Sequence, residues 1–223
     1  MKKKLVIAID GPAGAGKSTI AKIVATELKY IYIDTGAMYR ALTWKALETG
    51  TSFQKPDDLT RLARKTRLTF RPKNGVFHVL ADGKDVTAMI RSQQVTSMTN
   101  TLAAVQGVRR VLRDLQRQMG RRGGVVMEGR DIGTAVFPNA DLKFYLDASP
   151  MERARRRYRE LRAKNERVSL RAIAEAIRKR DFKDRTRGIS PLRVADDAIV
   201  VDSTRLTLDQ VARVILEKAL QSE

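Results

Sequence analysis

Cysteine is absent from the 223 residues, and histidine (His78) and tryptophan (Trp44) occur once each. Without cysteine there is no disulfide framework, no Cys-ligated zinc and no thiolate nucleophile. A Ser-His-Asp site could draw only on His78. Aromatic residues make up 5% of the chain, few for stacking on unpaired bases. No stretch approaches the ~18–20 consecutive apolar residues of a membrane helix. The nearest imitation of a leader is Met1-Lys2-Lys3-Lys4 followed by Leu5-Val6-Ile7-Ala8-Ile9. Asp10 closes that run below the ~7–15 residues of a leader's apolar core. It reads instead as a buried first strand after a basic start, and a cytoplasmic protein without a membrane partner is expected. Negative charge is also scarce. Lys and Arg total 44 against 25 Asp and Glu, a net +19, and 28 of the 44 bases are Arg. Such a chain must meet anions, whether nucleic acid, anionic lipid or phosphorylated small molecules. An apolar content of 43% is enough for a sizeable core, and the length suits one large domain or one with an insertion.

Short apolar strands alternate with helical patterns over much of the chain. Residues 5–10 are continuous and β-branched, and Ile20, Ile23, Val24 and Leu28 then recur at helical spacing. Tyr30 to Ile33 reads as a second strand and Ala37 to Leu47 as a helix. Strands are expected again at 124–127, 142–146 and 198–201, with a helix at 208–220. This rhythm predicts an α/β fold, a parallel sheet with helices on both faces. It breaks at residues 67–86, where Asn74-Gly75 and Asp82-Gly83 separate short alternating runs, a hairpin signal. A small antiparallel three-stranded insertion is expected at about 66–91. Residues 151–190 form a second irregular region, carrying fifteen bases against six acids. Trp44 and the methionines read as core, and His78 as a hairpin or surface residue.

Gly11-Pro12-Ala13-Gly14-Ala15-Gly16-Lys17-Ser18 fits G-x-x-x-x-G-K-[ST], following a strand and opening a helix. Glycines there let backbone N–H groups turn toward phosphate, and the helix adds free amides and its positive dipole end. Gly11 to Ser18 with Thr19 are the expected ATP-binding residues. Lys17 would reach the β- and γ-phosphates, and the Ser18 hydroxyl would meet Mg²⁺ directly or through water. The fold is thus expected to be a P-loop NTPase core. Asp10 and Glu128, at strand ends, could hold a Mg²⁺-bound water or orient Lys17 or Ser18. Asp34-Thr35-Gly36 at the end of the second strand sits where open parallel sheets bind ligands. Taken alone, Thr35 is equally a helix cap and Tyr39 equally a core aromatic.

Four motifs together resemble the bacterial-type cytidylate kinase family. They are Ile-Asp-Gly-Pro-Ala-Gly-Ala-Gly-Lys-Ser at 9–18, Asp-Thr-Gly-Ala-Met-Tyr-Arg at 34–40, Glu-Gly-Arg-Asp-Ile-Gly-Thr at 128–134 with Val-Phe-Pro at 136–138, and Arg-Asp-x-x-Asp-Arg-x-Arg at 180–187. The closing Asp-Ser-Thr at 202–204 also fits. The resemblance implies a single nucleoside monophosphate kinase domain over 1–223, with an acceptor-binding insertion at about 66–91 and an Arg-rich helical lid at about 151–168. It implies transfer of the γ-phosphoryl of ATP to CMP or dCMP with Mg²⁺, and a monomer. By the same resemblance Arg40, Arg130 and Arg187 meet the acceptor phosphate, and Arg180 and Asp184 hold the ribose end and the reacting phosphates. Lys17, Arg130, Arg180, Asp184 and Arg187 are then the expected catalytic set. Arg153, Arg156 and Arg157 are equal candidates for stabilising transition-state charge, and Arg157 is included in the catalytic set. Thr35 and Tyr39 join the acceptor set. Asp131 and Arg109 resemble the family's cytosine contacts. Asn100 stands where the family often has a small hydroxyl residue, and its amide both donates and accepts.

The chemistry agrees without the family. An acceptor phosphate, with a second pKa of about 6, is anionic at neutral pH and needs no general base. That suits a chain with one His and no Cys. Several phosphates must instead be held together against their mutual repulsion, a task for Arg. Two other readings remain open. One is a P-loop kinase for another nucleoside monophosphate or a small alcohol. The other is a nucleic-acid-binding P-loop protein, disfavoured by the missing recognition motif and the few aromatics, so no nucleic-acid partner is expected.

Overall fold

The computed structural model describes residues 4–73, 76–163 and 165–222. It divides into two compact units, Met1–Tyr32 with Arg122–Glu223, and Ile33–Arg121.

In the first unit the strand β1 (Val6–Asp10) is buried along almost its whole length. It is central, which is why its residues are continuously apolar rather than alternating. It pairs in parallel with β6 (Val125–Gly129) on one side and β7 (Leu142–Asp147) on the other. The strand β8 (Ile199–Asp202) adds in parallel to β7, and β2 (Ile31–Asp34) completes the sheet in the order β2-β6-β1-β7-β8. The register Ile9↔Glu128 and Asp10↔Gly129 brings two carboxylates to the same carboxyl end of neighbouring strands. Every strand expected from the sequence is present to within a residue or two.

Among the described residues of this unit, the α-helices are α1 (Lys17–Glu27), α6 (Pro150–Ala163), α7 (Leu170–Thr186) and α8 (Leu208–Ser222). Ile20 and Val24 of α1 are fully buried. The basic pair α6 and α7 has an apolar cluster of its own. Ala154, Leu161, Ile173 and Ile177 are buried there, with Tyr158, Val168, Leu170 and Ala174 packed against them. These positions recur at three- and four-residue spacing, so each helix turns one apolar stripe inward and leaves most of its bases outside it.

In the second unit α2 (Thr35–Glu48) begins two residues earlier than the sequence suggested. Asp34 is the N-cap, its Oδ1 accepting from the Ala37 N–H at 2.9 Å, so Thr35 is the first helical residue and not the cap. Then come α3 (Pro56–Lys65) and an antiparallel sheet of β3 (Leu68–Lys73), β4 (Val76–Ala81) and β5 (Lys84–Asp85). This sheet falls within the expected insertion. Its Asp82-Gly83 turn has φ of 52° and 84°, both positive, as a two-residue turn matched to strand twist requires. The Asn74-Gly75 turn lies outside the described residues. The unit closes with α4 (Gln93–Ala103) and α5 (Gln106–Gly120).

Trp44 is buried as expected, with Lys84 Nζ 4.8 Å from its ring centroid. Met38 and Met127 are also core. Met89 and Met151 are not, being 41% and 49% exposed. Met89 flanks buried Ile90 in a three-residue 3₁₀ turn, and Met151 stands in the first turn of α6.

Candidate active site

The loop between β1 and α1 is shaped by its glycines. Gly11 has φ +147°, and a Cβ there would lie 2.0 Å from the Leu146 carbonyl oxygen, so no side chain fits. Gly14 has φ +79°, and a Cβ would lie 3.1 Å from the Arg153 Cβ. No side chain caps α1, and no carboxylate lies in its first turn, so its N-terminal amides and dipole are left to an anion. Ser18 and Thr19 are exposed at this end.

Lys17 is buried, and its Nζ donates to the Pro12 carbonyl at 2.7 Å. Burial, reinforced by the nearby guanidinium groups of Arg130 and Arg180, lowers its pKa from 10.5 to about 7, against the opposing pull of Glu128 and Asp10. Asp10 is pushed up from 3.8 to about 6, chiefly by burial. Both its oxygens are occupied, Oδ1 by the Ile132 N–H at 2.9 Å and Oδ2 by the Gly133 N–H at 2.7 Å. These amides open a short π-helical turn, Ile132–Val136, right after the Arg130-Asp131 pair. Asp10 therefore fixes the segment that carries two expected acceptor residues. Glu128 accepts from the Tyr32 hydroxyl at 2.6 Å.

The three candidate arginines of α6, Arg153, Arg156 and Arg157, separate clearly. Arg153 is 2% exposed. It donates from Nε to the Ala148 carbonyl (2.8 Å) and from Nη1 to the Ala13 carbonyl of the phosphate loop (3.0 Å) and to Asp181 Oδ2 (2.6 Å). Arg156 donates to the hydroxyl and the carbonyl of Ser203, at 3.0 and 2.5 Å. That hydroxyl lies 3.4 Å from the Ala15 carbonyl and 3.0 Å from the Asp147 carbonyl. Arg157, the candidate included in the catalytic set, is half-exposed and pairs with Glu160 on its own helix at 2.7 Å.

Two charge pairs join the 128–134 and 180–187 motifs. Arg130 Nε donates to Asp184 Oδ2 at 2.9 Å, and Arg187 Nη2 lies 3.4 Å from Asp131 Oδ1. All four groups are largely withdrawn from solvent. Asp184 thus holds Arg130, not its chain neighbour Arg185, which bonds the Tyr145 hydroxyl. Arg180 lies close enough to Lys17 to act on its charge.

In the second unit Thr35 is buried at the start of α2. Arg40 pairs with Asp34 at 2.8 Å. Arg109 is buried with its Cζ 5.5 Å from the Tyr39 ring centroid, a cation–π contact, and donates to the Ala103 carbonyl at 3.2 Å. Asn100 is half-buried on α4. His78, on β4, lies 2.5 Å from Asp85, whose carboxyl falls to about 2, chiefly through hydrogen bonds from Thr87 with a further one from His78.

Two residues of this architecture had no role from sequence reasoning. Asp181 was the readable one: it precedes Asp184 by three residues, which puts both carboxylates on one face of α7. Ser203 gave no signal beyond its place in Asp-Ser-Thr.

The sequence profile of the family described as "Cytidylate kinase" matches residues 7–221. A cytidylate kinase of Bacillus licheniformis is 50% identical over 219 residues, covering 97% of this chain and 96% of its own. A cytidylate kinase of Pediococcus pentosaceus is 48% identical over 216 residues, covering 97% and 96%. Among solved structures, an uncharacterized protein from Eubacterium ventriosum superposes with a TM-score of 0.53 at 12% identity, covering 99% of this chain and 100% of that one, a likeness of fold alone.

Proposed function

The chain belongs to the cytidylate kinase family, and from that premise we propose that it transfers the γ-phosphoryl group of ATP to CMP or dCMP, giving ADP and CDP or dCDP. The observation that carries the site assignment is electrostatic. Burial is the main cause of the low pKa of Lys17, and Arg130 and Arg180, from the two acceptor motifs, add to it from nearby; Arg130 is bonded there to Asp184 of the second motif at 2.9 Å. Cations that repel one another without a ligand are stabilised together when phosphates are added between them.

Gly11, Pro12, Ala13, Gly14, Ala15, Gly16, Lys17, Ser18 and Thr19 bind the triphosphate. Arg130, Arg187 and Arg40 hold the acceptor phosphate, whose own oxygen is the nucleophile. Arg180 steadies the charge passing between them. Asp184 keeps the Arg130 guanidinium aimed and offers its second oxygen to the sugar. Asp131 accepts from the N4 amino group of cytosine, and Arg109, backed by Tyr39, donates to N3 or O2. Thr35 and Asn100 complete the acceptor contacts. Transfer is largely positioning plus charge stabilisation, with no base required.

The exposed Ser18 hydroxyl fits Mg²⁺, which takes a few oxygen ligands and keeps several waters. Among the described residues no cluster of three metal-ligating side chains competes for it. When bound with the triphosphate, the ion neutralises phosphate charge. Asp10, with both oxygens on backbone amides, is a poor direct ligand and serves to orient. The lid is the stretch of about 151–168, which contains nearly all of α6, and α6 shares an apolar cluster with α7. We place the enzyme in the cytoplasm as a monomer that takes small nucleotides, not nucleic acid. No helix among the described residues is long and apolar enough to cross a membrane.

Arg130→Ala and Asp184→Ala test the assignment. Both are expected to lose turnover by ~10²-fold or more while still binding ATP in calorimetry. Near-normal rates in both would refute the site.

A further inference from the structure

We propose that Arg153, clamped by Asp181, is a positioning residue that fixes the Ala13–Gly14 peptide so that the Gly14 N–H faces the phosphates of ATP. The peptide is trans, so its C=O and N–H point in opposite directions. Arg153 holds the Ala13 carbonyl from the buried side at 3.0 Å, which sends the Gly14 N–H to the open side of the loop. Gly14 itself is exposed there, while Arg153 beneath it is 2% exposed. The fit is close on both sides of the contact, since a Cβ on Gly14 would lie 3.1 Å from Arg153 Cβ and 3.3 Å from its carbonyl oxygen.

The preceding carbonyl, of Pro12, takes the Lys17 ammonium at 2.7 Å, and the Ala15 carbonyl lies 3.4 Å from the Ser203 hydroxyl, which is nearer the Asp147 carbonyl at 3.0 Å. Turning a carbonyl away from the loop's interior leaves its partner amide as a donor for an anion.

Asp181 gives Arg153 its direction. Its Oδ2 takes Nη1 at 2.6 Å, while Oδ1 is buried with no hydrogen-bond partner. A buried pair with one oxygen left unsatisfied adds little net stability, and apolar replacements of such pairs are often neutral. Its value is the fixed geometry it imposes on the loop. Arg153 commits Nε and Nη1 to Ala148, Ala13 and Asp181, so those two nitrogens are not available to a reacting phosphoryl group. The kinetics below separate positioning from direct contact with substrate.

The inference rests on reading this loop as the ATP site, and the wild-type enzyme tests that reading in the same assay. Arg153→Met, Arg153→Lys and Asp181→Asn are compared with wild type by steady-state kinetics in ATP and in CMP, and by ATP calorimetry, below each variant's melting temperature. For Arg153→Met, KM and Kd for ATP should rise by about tenfold or more, as for loss of a charge-assisted hydrogen bond. KM for CMP should stay within about twofold, and kcat should fall only severalfold. Arg153→Lys, with one donor restored, should recover part of the ATP affinity. Asp181→Asn should shift the same way by less. If Arg153→Met does not fold, the other two variants carry the comparison. Unchanged ATP affinity, equal rises in both KM values, or a fall in kcat of ~10²-fold or more at constant KM for ATP would each overturn the proposal; the last would make Arg153 a transition-state residue. Absence of ADP from wild type would instead sink the underlying reading, and the Kd comparison would still judge Arg153.

Discussion

At the scale of single residues, Gly11 and Gly14 each occupy a place in the phosphate loop that admits no side chain without conflict, and burial alters the state of Lys17 beside them. Its pKa of about 7 arises from burial and from arginines more than a hundred positions away. An ATP phosphate beside it favours the charged ammonium, so its pKa rises on binding. Between about pH 7 and the ordinary lysine value the free protein lacks a proton that the complex holds. ATP binding at pH 8 should therefore take up a proton, approaching one per site, and uptake should vanish below about pH 6. Calorimetry in buffers of different ionisation enthalpy measures this, and Lys17→Met should abolish it. No uptake at pH 8 in wild type would show that Lys17 stays charged throughout. Asp131 makes a second residue-scale prediction. Uracil presents O4, an acceptor, to this carboxylate. Wild type should thus prefer CMP over UMP, and Asp131→Ala should cut the ratio of their kcat/KM values by ~10-fold or more. An unchanged ratio would remove Asp131 from base recognition.

At the scale of elements, periodicity placed the strands and most helices but could not say which charges face inward. The run 151–190 reads as a uniformly basic stretch. In the structure Arg153 is one of the most buried side chains, while Arg157, a turn further on, is half-exposed. The difference is set by tertiary neighbours, the Ala13 carbonyl and Asp181, which no local pattern reveals. The helix α7 joins two functions, because Asp181 and Asp184 lie on one face and grip Arg153 and Arg130 respectively. Its apolar stripe must therefore hold α7 in register with α6. Ile177→Ala opens that cluster and should cost ~2–4 kcal/mol locally. Hydrogen exchange should accelerate across 150–186 while β1 and β6 stay protected. Uniform acceleration over the whole chain would show that the helix pair has no separate stability.

For the whole molecule, the α/β class, the parallel sheet and the small antiparallel sheet were legible, since alternation of short apolar runs with helices leaves few topologies open. The division at residues 33 and 121 was not, because no linker composition marks it. The net charge of +19 was the other early signal. Arg40, Arg130, Arg153 and Arg187 each pair with an aspartate, so these pairs add nothing net to it. Nothing in the structure explains the excess. Exposed charge of this sign draws nucleotides inward over a Debye length of ~10 Å at 0.1 M salt. Raising KCl from 50 to 300 mM should raise KM for both nucleotides severalfold and leave kcat nearly constant; a salt-insensitive KM would deny the surplus any part in capture. The central claim is most directly tested by one acceptor panel. With ATP and Mg²⁺, the purified protein is given CMP, dCMP, UMP, AMP and GMP in turn and kcat/KM is taken from ADP release. The account predicts efficient turnover of CMP and dCMP, weaker turnover of UMP, and little of AMP or GMP. Preference for a purine, or UMP turned over as well as CMP, would contradict it.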